Sequence, residues 1–286
     1  MSASALSFIP ARPMRVLPGF GLSLGISLTF VSLVLLLPMT GLVGQLSELS
    51  LAEYWSVISE PRVVASYLTT MGAAAAAALV NAAFGLLLAW VLVRYEFPGK
   101  RLLDALMDLP FALPTAVAGI TLATLYSSNG WMGKLLAPLG VEVSYTWLGI
   151  ALAMAFTSIP FVVRTVQPIL EDLPAEVDEA AMTLGARDGV AFRRVILPHL
   201  WPALVTGTGL AFVRSLGEFG AVIFIAGNMP FETEITSLMI FVKLQEYDYA
   251  GASAIASVVL ATSLGLLLVI NLWQGRFIRR LHGGNG

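Results

Sequence analysis

Long stretches without charged residues divide the chain into candidate membrane-spanning segments. Five of them cover residues 16–47, 63–93, 109–133, 143–163 and 249–275. About 20 apolar residues are enough for a helix to cross the hydrocarbon core of a bilayer. A sixth stretch, 195–226, is equally long but carries Arg214 and Glu218 one helical turn apart. Because lipid cannot satisfy backbone polar groups, helices are expected throughout. The pattern predicts an all-α polytopic membrane helix bundle with six transmembrane helices.

The composition agrees with a chain whose main solvent is membrane lipid. Of the 286 residues, 57% are hydrophobic and only 12% are charged, whereas soluble domains are about 25% charged. There is no cysteine, and the two histidines, His199 and His282, lie far apart. We therefore predict no metal site and no catalytic residue. The net charge of −2 gives no indication of a nucleic-acid partner.

Lysine and arginine residues are distributed unevenly between the two sides of such a bundle. With six spans, the N-terminus, the even-numbered connections and the C-terminus share one side. That side carries Arg12, Arg15, Arg94, Lys100, Arg101, Arg164, Arg187, Arg193, Arg194, Arg276, Arg279 and Arg280. The other side has only Arg62, Lys134 and Lys243. Because cytoplasmic loops collect positive charge, both termini are expected to be cytoplasmic.

The N-terminal segment also has features of a signal peptide, namely a basic lead followed by an apolar stretch. That stretch is as long as a full span, however, and no A-x-A pattern follows it. We therefore predict an uncleaved first helix. The expected organisation is residues 1–62 for the cytoplasmic N-terminus, first helix and external loop, 63–275 for the permease core and 276–286 for a cytoplasmic tail.

Polar and helix-breaking residues inside the apolar stretches indicate where helices interact or bend. Asn81 and Asn271 are expected to form hydrogen bonds between helices. The third stretch begins at Asp108 and contains Pro110 and Pro114. Prolines there permit a break, which is tolerated only against protein or a water-filled cavity. The third span is thus a candidate wall of a pathway, with a merely kinked helix as the alternative.

The segment 168–204 is a long loop with the pattern of a docking helix. Pro174 suits a first turn and Gly185 suits the position after a helix end. A second short helix over 190–195 is expected to end at Pro198. The first helix is acidic, with Glu176 among its early residues, so docking into a protein groove is favoured over lying on anionic lipid. Its apolar stripe consists of Leu173, Val177, Ala180, Ala181 and Leu184.

This loop resembles the EAA signature, E-A-A-x3-G-x9-I-x-L-P, of the membrane permeases of type I bacterial ABC importers. The matching residues are Glu179, Ala180, Ala181, Gly185, Leu197 and Pro198. The only departure is Val195, where isoleucine is usual, a difference of one methylene group. The resemblance implies that these six residues couple the permease to an ATPase.

Other segments resemble the T-type permeases of sulfate/thiosulfate importers almost end to end, among them "LLDALMDLPFALPTAVAG" and "SLGEFGAVIFIAGN". The resemblance implies a bacterial inner-membrane complex that imports sulfate or thiosulfate. Its other components would be a homologous W-type permease, a dimer of ABC ATPases and a periplasmic sulfate-binding protein. Molybdate-importer permeases share the "LGEFGA"-like segment, so molybdate or another oxyanion stays open as the substrate.

Nucleotide chemistry is expected on another chain. The two Gly-Lys pairs, at Lys100 and Lys134, lack the other residues of a phosphate-binding loop. We predict that this chain is not an enzyme and binds no cofactor, and that ATP and Mg²⁺ bind the partner ATPase. An ion-coupled secondary transporter is disfavoured by the EAA pattern, and a membrane-embedded enzyme by the absence of clustered nucleophile and base residues.

The charged pair in the sixth stretch allows two interpretations. Arg214 and Glu218 can pair at i,i+4 spacing and serve only packing, or they can line a pathway for a dianion. We favour the pathway, without a tight anion site, because Glu218 would weaken the hold of Arg214 on an anion. The candidate pathway residues are Arg214, Ser215, Gly217, Glu218 and Gly220, together with Asp108, Pro110 and Pro114.

The segment after Gly227 is expected to lie outside the membrane or to re-enter it partway. Its acidic residues, with Lys243 as the only base, are interpreted as a solvated face that contacts the binding protein. They are Glu232, Glu234, Glu246 and Asp248.

Overall fold

All regular structure in the residues that the computed structural model describes, 19–282, is helical. The chain divides into two units, Met1–Glu48 and Leu49–Gly286. The first unit contains α1 (Phe20–Leu46), with a wide π-type turn at Ser32–Leu36. None of its described residues is buried. A helix that is apolar on all sides is typical of a membrane span.

The second unit is a bundle of long and short helices. In chain order they are α2 (Leu51–Ile58), α3 (Pro61–Arg94), α4 (Lys100–Met107), α5 (Leu109–Ala112), α6 (Thr115–Tyr126), α7 (Trp131–Leu136), α8 (Trp147–Glu171), α9 (Ala175–Thr183), α10 (Asp188–Leu216), α11 (Val222–Ile225), α12 (Thr236–Gln245) and α13 (Tyr249–His282). Five described helices are long and apolar enough to cross a membrane, namely α1, α3, α8, α10 and α13. The expected all-α membrane bundle is confirmed.

The centre of the bundle is the packing of α3, α8 and α10. Gly72 of α3 faces Trp147 at the start of α8, and Gly85 lies against Val162 further along both helices, so α3 and α8 run in the same direction. Gly207 of α10 packs against the same Val162, and Ser215 lies beside Ser158, so α10 runs antiparallel to α8. A Cβ atom at Gly85 would lie 2.8 Å from Val162 Cγ1. Glycine therefore allows the close helix approach that stabilises bundles in lipid.

The parallel course of α3 and α8 requires the segment between them to return from one end of the bundle to the other. It does so through α4, α5, α6 and α7, not through one continuous third helix over 109–133. Pro110 is the second residue of the single turn α5, and Leu113 is extended before Pro114, as residues before proline tend to be. Of the two alternatives for this segment, the structure has the break and not a merely kinked helix.

The stretch 195–226 is also interrupted. Helix α10 ends at Leu216, residues 217–221 are not helical, and α11 adds one turn. The expected separate helix over 190–195 is wrong, because α10 runs without interruption from Asp188 through Pro198. The π-type turn at Phe192–Ile196 lies directly before that proline. Such a wide turn lets the helix continue although proline has no N–H to donate to the preceding turn.

The two interrupted segments contact each other at their breaks. Gly119 of α6 lies so close to Ala221 that a Cβ atom would overlap the Ala221 carbonyl group. Gly220 is equally close to the Thr115 side chain at the start of α6. The break after α10 is therefore packed against the helix that follows the break at Pro114.

A buried hydrogen-bonded group joins the three central helices. The Asn81 side-chain amide of α3 donates to the Ala155 carbonyl oxygen at 3.0 Å and to Ser158 Oγ at 2.9 Å in α8. Ser215 Oγ of α10 donates to Ser158 Oγ at 3.2 Å. The expected interhelical role of Asn81 is confirmed. Asn271, by contrast, is exposed.

Gln274, three positions after Asn271, makes a polar contact between α13 and a neighbouring helix. Its side-chain amide donates to Thr206 Oγ1 of α10. Residues three positions apart are neighbours on the helix surface, so a small difference in helix rotation decides which of them reaches the bundle.

We expect Gly119→Ala to destabilise the chain. Alanine would improve helix propensity by about 1 kcal/mol, but overlap with the Ala221 backbone costs about 1–3 kcal/mol. The matched control is Gly265→Ala in α13, where a Cβ atom meets nothing within 4 Å. Thermal unfolding in detergent should show a lower midpoint for Gly119→Ala and an unchanged or higher one for Gly265→Ala. Equal midpoints for the two variants would contradict the close packing of the two breaks.

Candidate functional site

The EAA-like segment forms a short helix closed by a glycine turn. Helix α9 is followed by Gly185 with φ of +82°. The Ala186 N–H donates to the Ala181 carbonyl oxygen at 3.0 Å, and the Leu184 N–H donates to the Ala180 carbonyl oxygen at 3.2 Å. The bond from Ala186 is the six-to-one bond of the Schellman motif, which favours glycine at the left-handed position, and the bond from Leu184 is an ordinary helical bond. The glycine turn expected at Gly185 is confirmed.

The apolar stripe of this loop divides between the chain's own core and the surface. Leu173 packs against the cluster of buried residues that α3, α8 and α10 share, and Ala181 is buried. Leu184, in contrast, is 89% exposed, and Ala180 is exposed as well. The side chain of Glu179 lies outside the described residues. The part of the stripe open to a partner is therefore narrower than the sequence pattern indicated.

Aromatic contacts connect the far end of the loop to α3. The Phe192 ring in the π-type turn of α10 meets the Trp90 ring edge-on, with centroids 5.2 Å apart. The Arg94 guanidinium lies 5.6 Å from the centroid of the same tryptophan. Of the signature residues that follow, Leu197 is half-buried and Pro198 is exposed. Both ends of the loop thus rest on the central helices, while Leu184 projects from its middle.

Arg214 and Glu218 form an ion pair at the break after α10. Arg214 Nη1 lies 2.8 Å from Glu218 Oε2, without the alignment of a hydrogen bond. Glu218 is 2% exposed and Arg214 is 35% exposed, so only the arginine reaches the surface of the chain. Glu218 Oε1 accepts a hydrogen bond of 2.9 Å from the Ala221 N–H. Arg214 also lies in the last turn of α10, where the helix dipole favours a cation.

The other candidate pathway residues fall into different surroundings. Gly217 is exposed beside the ion pair, and Gly220 packs against Thr115. Ser215 is fully buried in the hydrogen-bonded group of the central helices. Its side chain therefore serves helix packing in this conformation and does not face a cavity.

The residues expected to form a wall in the third segment differ in their surroundings. Asp108 accepts two hydrogen bonds from Arg164 of α8, at 2.9 Å and 2.7 Å. Pro110 is buried, and Pro114 is exposed at the start of α6. Arg164 was not singled out from the sequence. The signal that could have found it is a lone arginine after an apolar span, opposite two aspartates of another segment.

The acidic segment after Gly227 is only partly a solvated face, which corrects the expectation for Glu234. That residue is 3% exposed and accepts two hydrogen bonds from Arg62, at 2.8 Å and 2.7 Å. Because both residues lie far apart in the sequence, spacing gave no indication of the pair. Glu232 and Glu246 are exposed, as expected.

Asp248 is also engaged, at the turn between α12 and α13. Burial raises the pKa of this carboxyl group, but hydrogen bonds from the Gly251 N–H and from Lys243 outweigh that effect and hold the pKa below its usual value. Its Oδ2 lies 3.1 Å from Lys243 Nζ. Two of the four acidic residues of this segment, Glu234 and Asp248, are therefore paired with basic residues of the chain.

Within the part of the chain that the structure describes, no group of three or more histidine, aspartate or glutamate side chains could hold a metal ion. What the arrangement provides is an exposed leucine on a fixed loop and an ion pair at a break in a long apolar helix. Neither is an arrangement of nucleophile and base.

Comparisons with known proteins connect this architecture to a family. Residues 81–283 match the family described as binding-protein-dependent transport system inner membrane component. The chain is 65% identical over 269 residues to the sulfate transport system permease protein CysT of Salmonella typhimurium, covering 94% of this chain and 97% of that protein. The CysT protein of Escherichia coli matches with the same identity and coverage.

A solved structure has the same fold at low sequence identity. It is a bacterial alginate ABC transporter in complex with an alginate pentasaccharide-bound periplasmic protein. The match has a TM-score of 0.72 at 18% identity and covers 90% of this chain and 94% of that one. With the family match over more than half of its length, the chain belongs to the binding-protein-dependent transport system inner membrane components.

Proposed function

We propose that this chain is the permease subunit of an ATP-driven importer and forms the pathway for sulfate or thiosulfate delivered by a periplasmic binding protein. The observation that carries the proposal is the 65% identity to two sulfate transport permeases over 94% of the chain. Such similarity along the whole chain includes the pathway segments as well as the signature loop.

The loop around α9 is the contact through which ATP hydrolysis drives transport. A dimer of ABC ATPases binds ATP and Mg²⁺ and receives the loop in a groove. Leu184 is the apolar anchor of that contact, since it is 89% exposed and lies beside the helix end that Gly185 sets. Exposed apolar residues on a short helix are typical of helix-in-groove recognition. The loop and both termini lie on the cytoplasmic side of the membrane.

The pathway lies where the two interrupted segments meet, between this chain and a homologous W-type permease. Arg214 is the residue of this chain that a dianion meets. Its pairing with Glu218 neutralises the charge in the resting state, so the anion passes without being held strongly. A conduit needs such weak, reversible contacts, because strong binding slows release.

The proposal is tested by transport of labelled sulfate into cells that lack their own sulfate uptake. The chain is expressed with its partner permease, ATPase and binding protein, and uptake is measured with and without vanadate. Vanadate-sensitive sulfate uptake is expected. Uptake of molybdate in place of sulfate would change the assigned anion, and uptake that depends on an ion gradient and ignores vanadate would overturn the ATP-driven mechanism.

We expect Leu184→Asp to abolish uptake, because burying an unpaired carboxylate in an apolar groove on the ATPase costs several kcal/mol of binding free energy. The matched control is Leu51→Asp in α2, since both leucines are 89% exposed. The measurement is co-purification of the ATPase together with labelled-sulfate uptake. Full uptake by Leu184→Asp, or an equal loss in Leu51→Asp, would contradict the docking role.

A contact of Arg214 with the anion can be distinguished by mutation from its ion pair with Glu218. Arg214→Gln alone leaves a buried carboxylate unpaired, which costs about 3–5 kcal/mol and lowers uptake under either interpretation. The double variant Arg214→Gln with Glu218→Gln removes that penalty. If Arg214 contacts the anion, the double variant still transports about tenfold more slowly. Restoration to the wild-type rate would assign Arg214 to packing alone.

A further inference from the structure

Arg164 of α8 donates hydrogen bonds to three residues through its three side-chain nitrogens. Nε and Nη2 donate to the two carboxylate oxygens of Asp108, at 2.9 Å and 2.7 Å. Nη1 donates to Asp104 Oδ1 at 2.6 Å and to Gln167 Oε1 at 2.8 Å, and Nη2 also donates to the Asp104 carbonyl oxygen at 2.9 Å. The rigid fork of a guanidinium matches such a set, whereas a lysine ammonium does not.

These contacts hold the first part of the broken third segment against α8. Asp104 lies in α4, and Asp108 is the last residue before the turn α5. A second contact lies three residues further along the chain, where the Phe111 ring meets the Phe161 ring of α8 edge-on, with centroids 5.5 Å apart. Together they attach the segment to α8 on the approach to the break that precedes α6.

Helix α4 and the base of the signature loop pack against one shared buried cluster. Leu103 and Met107 of α4 pack against the buried cluster that receives Leu173, the first apolar residue of the loop. Helix α4 is therefore linked to the loop through this shared cluster and, through Asp108, to the break. A displacement of the loop base reaches α6 through this helix only if α4 stays attached to α8.

The ion pairs around Arg164 are partly open to water. The arginine is 33% exposed, Asp104 is 41% exposed and Asp108 is 51% exposed. A cleft of about 650 Å³ lies beside them, with Asp104 and Gln167 in its wall. Because water can reach these groups, weakening one contact leaves no fully buried charge unpaired and does not by itself unfold the bundle. Packing of a fully buried core would not permit this.

We propose that Arg164, with Asp104 and Asp108, is a clamp that transmits movement of the signature loop to the break in the third segment. Arg164 is thus a positioning residue for transport and does not contact the anion. The inference rests on the proposed function as an ATP-driven permease. With the clamp weakened, the loop still moves with the ATPase, but α4 slips and the break no longer follows. ATP is then hydrolysed without transport.

The chain offers a matched control in the second bidentate arginine pair. Arg62 and Glu234 form the same kind of fork at the opposite end of the bundle, at 2.8 Å and 2.7 Å. Arg62 is 39% exposed, close to the value for Arg164. Both pairs tie a long helix to a distant segment, but only Arg164 lies next to the signature loop. A loss of general stability should therefore appear when either arginine is replaced, whereas a loss of coupling should appear only when Arg164 is replaced.

The test compares Arg164→Lys with Arg62→Lys in the complete importer reconstituted in liposomes. ATP hydrolysis stimulated by sulfate-loaded binding protein and uptake of labelled sulfate are measured on the same preparation. For Arg164→Lys we expect the amount of sulfate imported per ATP hydrolysed to fall about tenfold while hydrolysis continues. For Arg62→Lys the ratio should stay at the wild-type value.

An unchanged ratio in Arg164→Lys, or an equal fall in Arg62→Lys, would overturn the clamp. If Arg164→Lys does not assemble, Asp108→Asn takes its place, since it keeps the shape of the side chain and the contacts of Arg164 with Asp104. The same fall in ratio is expected. Wild-type liposomes that import no anion would refute the proposed function itself, an outcome distinct from wild-type import with an unchanged ratio in the variants.

Discussion

The close approach of α3 and α8 in the same direction is the constraint on which the rest of this structure depends. Glycine at position 85 removes the side chain that would otherwise keep the helices apart, and Asn81 joins them through Ser158. Lipid offers no hydrophobic drive for helix association, so such small-residue contacts and interhelical hydrogen bonds provide the specificity. Once two successive long helices are parallel, the chain between them has to return, and the return segment is the broken one.

Breaks in apolar helices are stable only where other groups satisfy the freed backbone or exclude lipid from it. In this chain the two breaks protect each other. The Ala221 backbone lies against Gly119, and Thr115 lies against Gly220. The Glu218 carboxylate adds a hydrogen bond to the Ala221 N–H. The contacts that stabilise the breaks also place the Arg214–Glu218 pair there, among helices that are otherwise apolar. The proposed pathway lies at this position.

Three arginines among the described residues tie interrupted or short segments to the long helices through ion pairs with carboxylates. Arg62 holds Glu234 before α12, Arg164 holds α4, and Arg214 holds the break after α10. Each carboxylate lies on a segment with few helical hydrogen bonds of its own, and each arginine lies on a long helix. Rigid helices thus position the irregular segments, which are the parts proposed to move or to contact the anion. The signature loop is attached in another way, by apolar contacts at both ends.

The sequence by itself determined that this protein lies in lipid, its helical class, the location of three of the five long described helices to within a few residues, and the glycine turn of the signature loop. These follow from local rules: charge-free length, the satisfaction of backbone groups in lipid, and the left-handed preference at Gly185. Even the break in the third segment was one of two alternatives, because proline acts on its own neighbours. What could not be read from spacing is which polar groups meet.

Only the tertiary structure decided that Leu173 turns inward while Leu184 stays exposed, that Ser215 belongs to packing, and that Glu234 is buried on Arg62. It also decided that α10 continues through Pro198, since the wide turn before the proline removes the reason for a stop. Asp108 was singled out for the prolines beside it, yet its partner Arg164 comes from another helix. A local pattern sets what a residue can do, and the rotation and register of packed helices set what it touches.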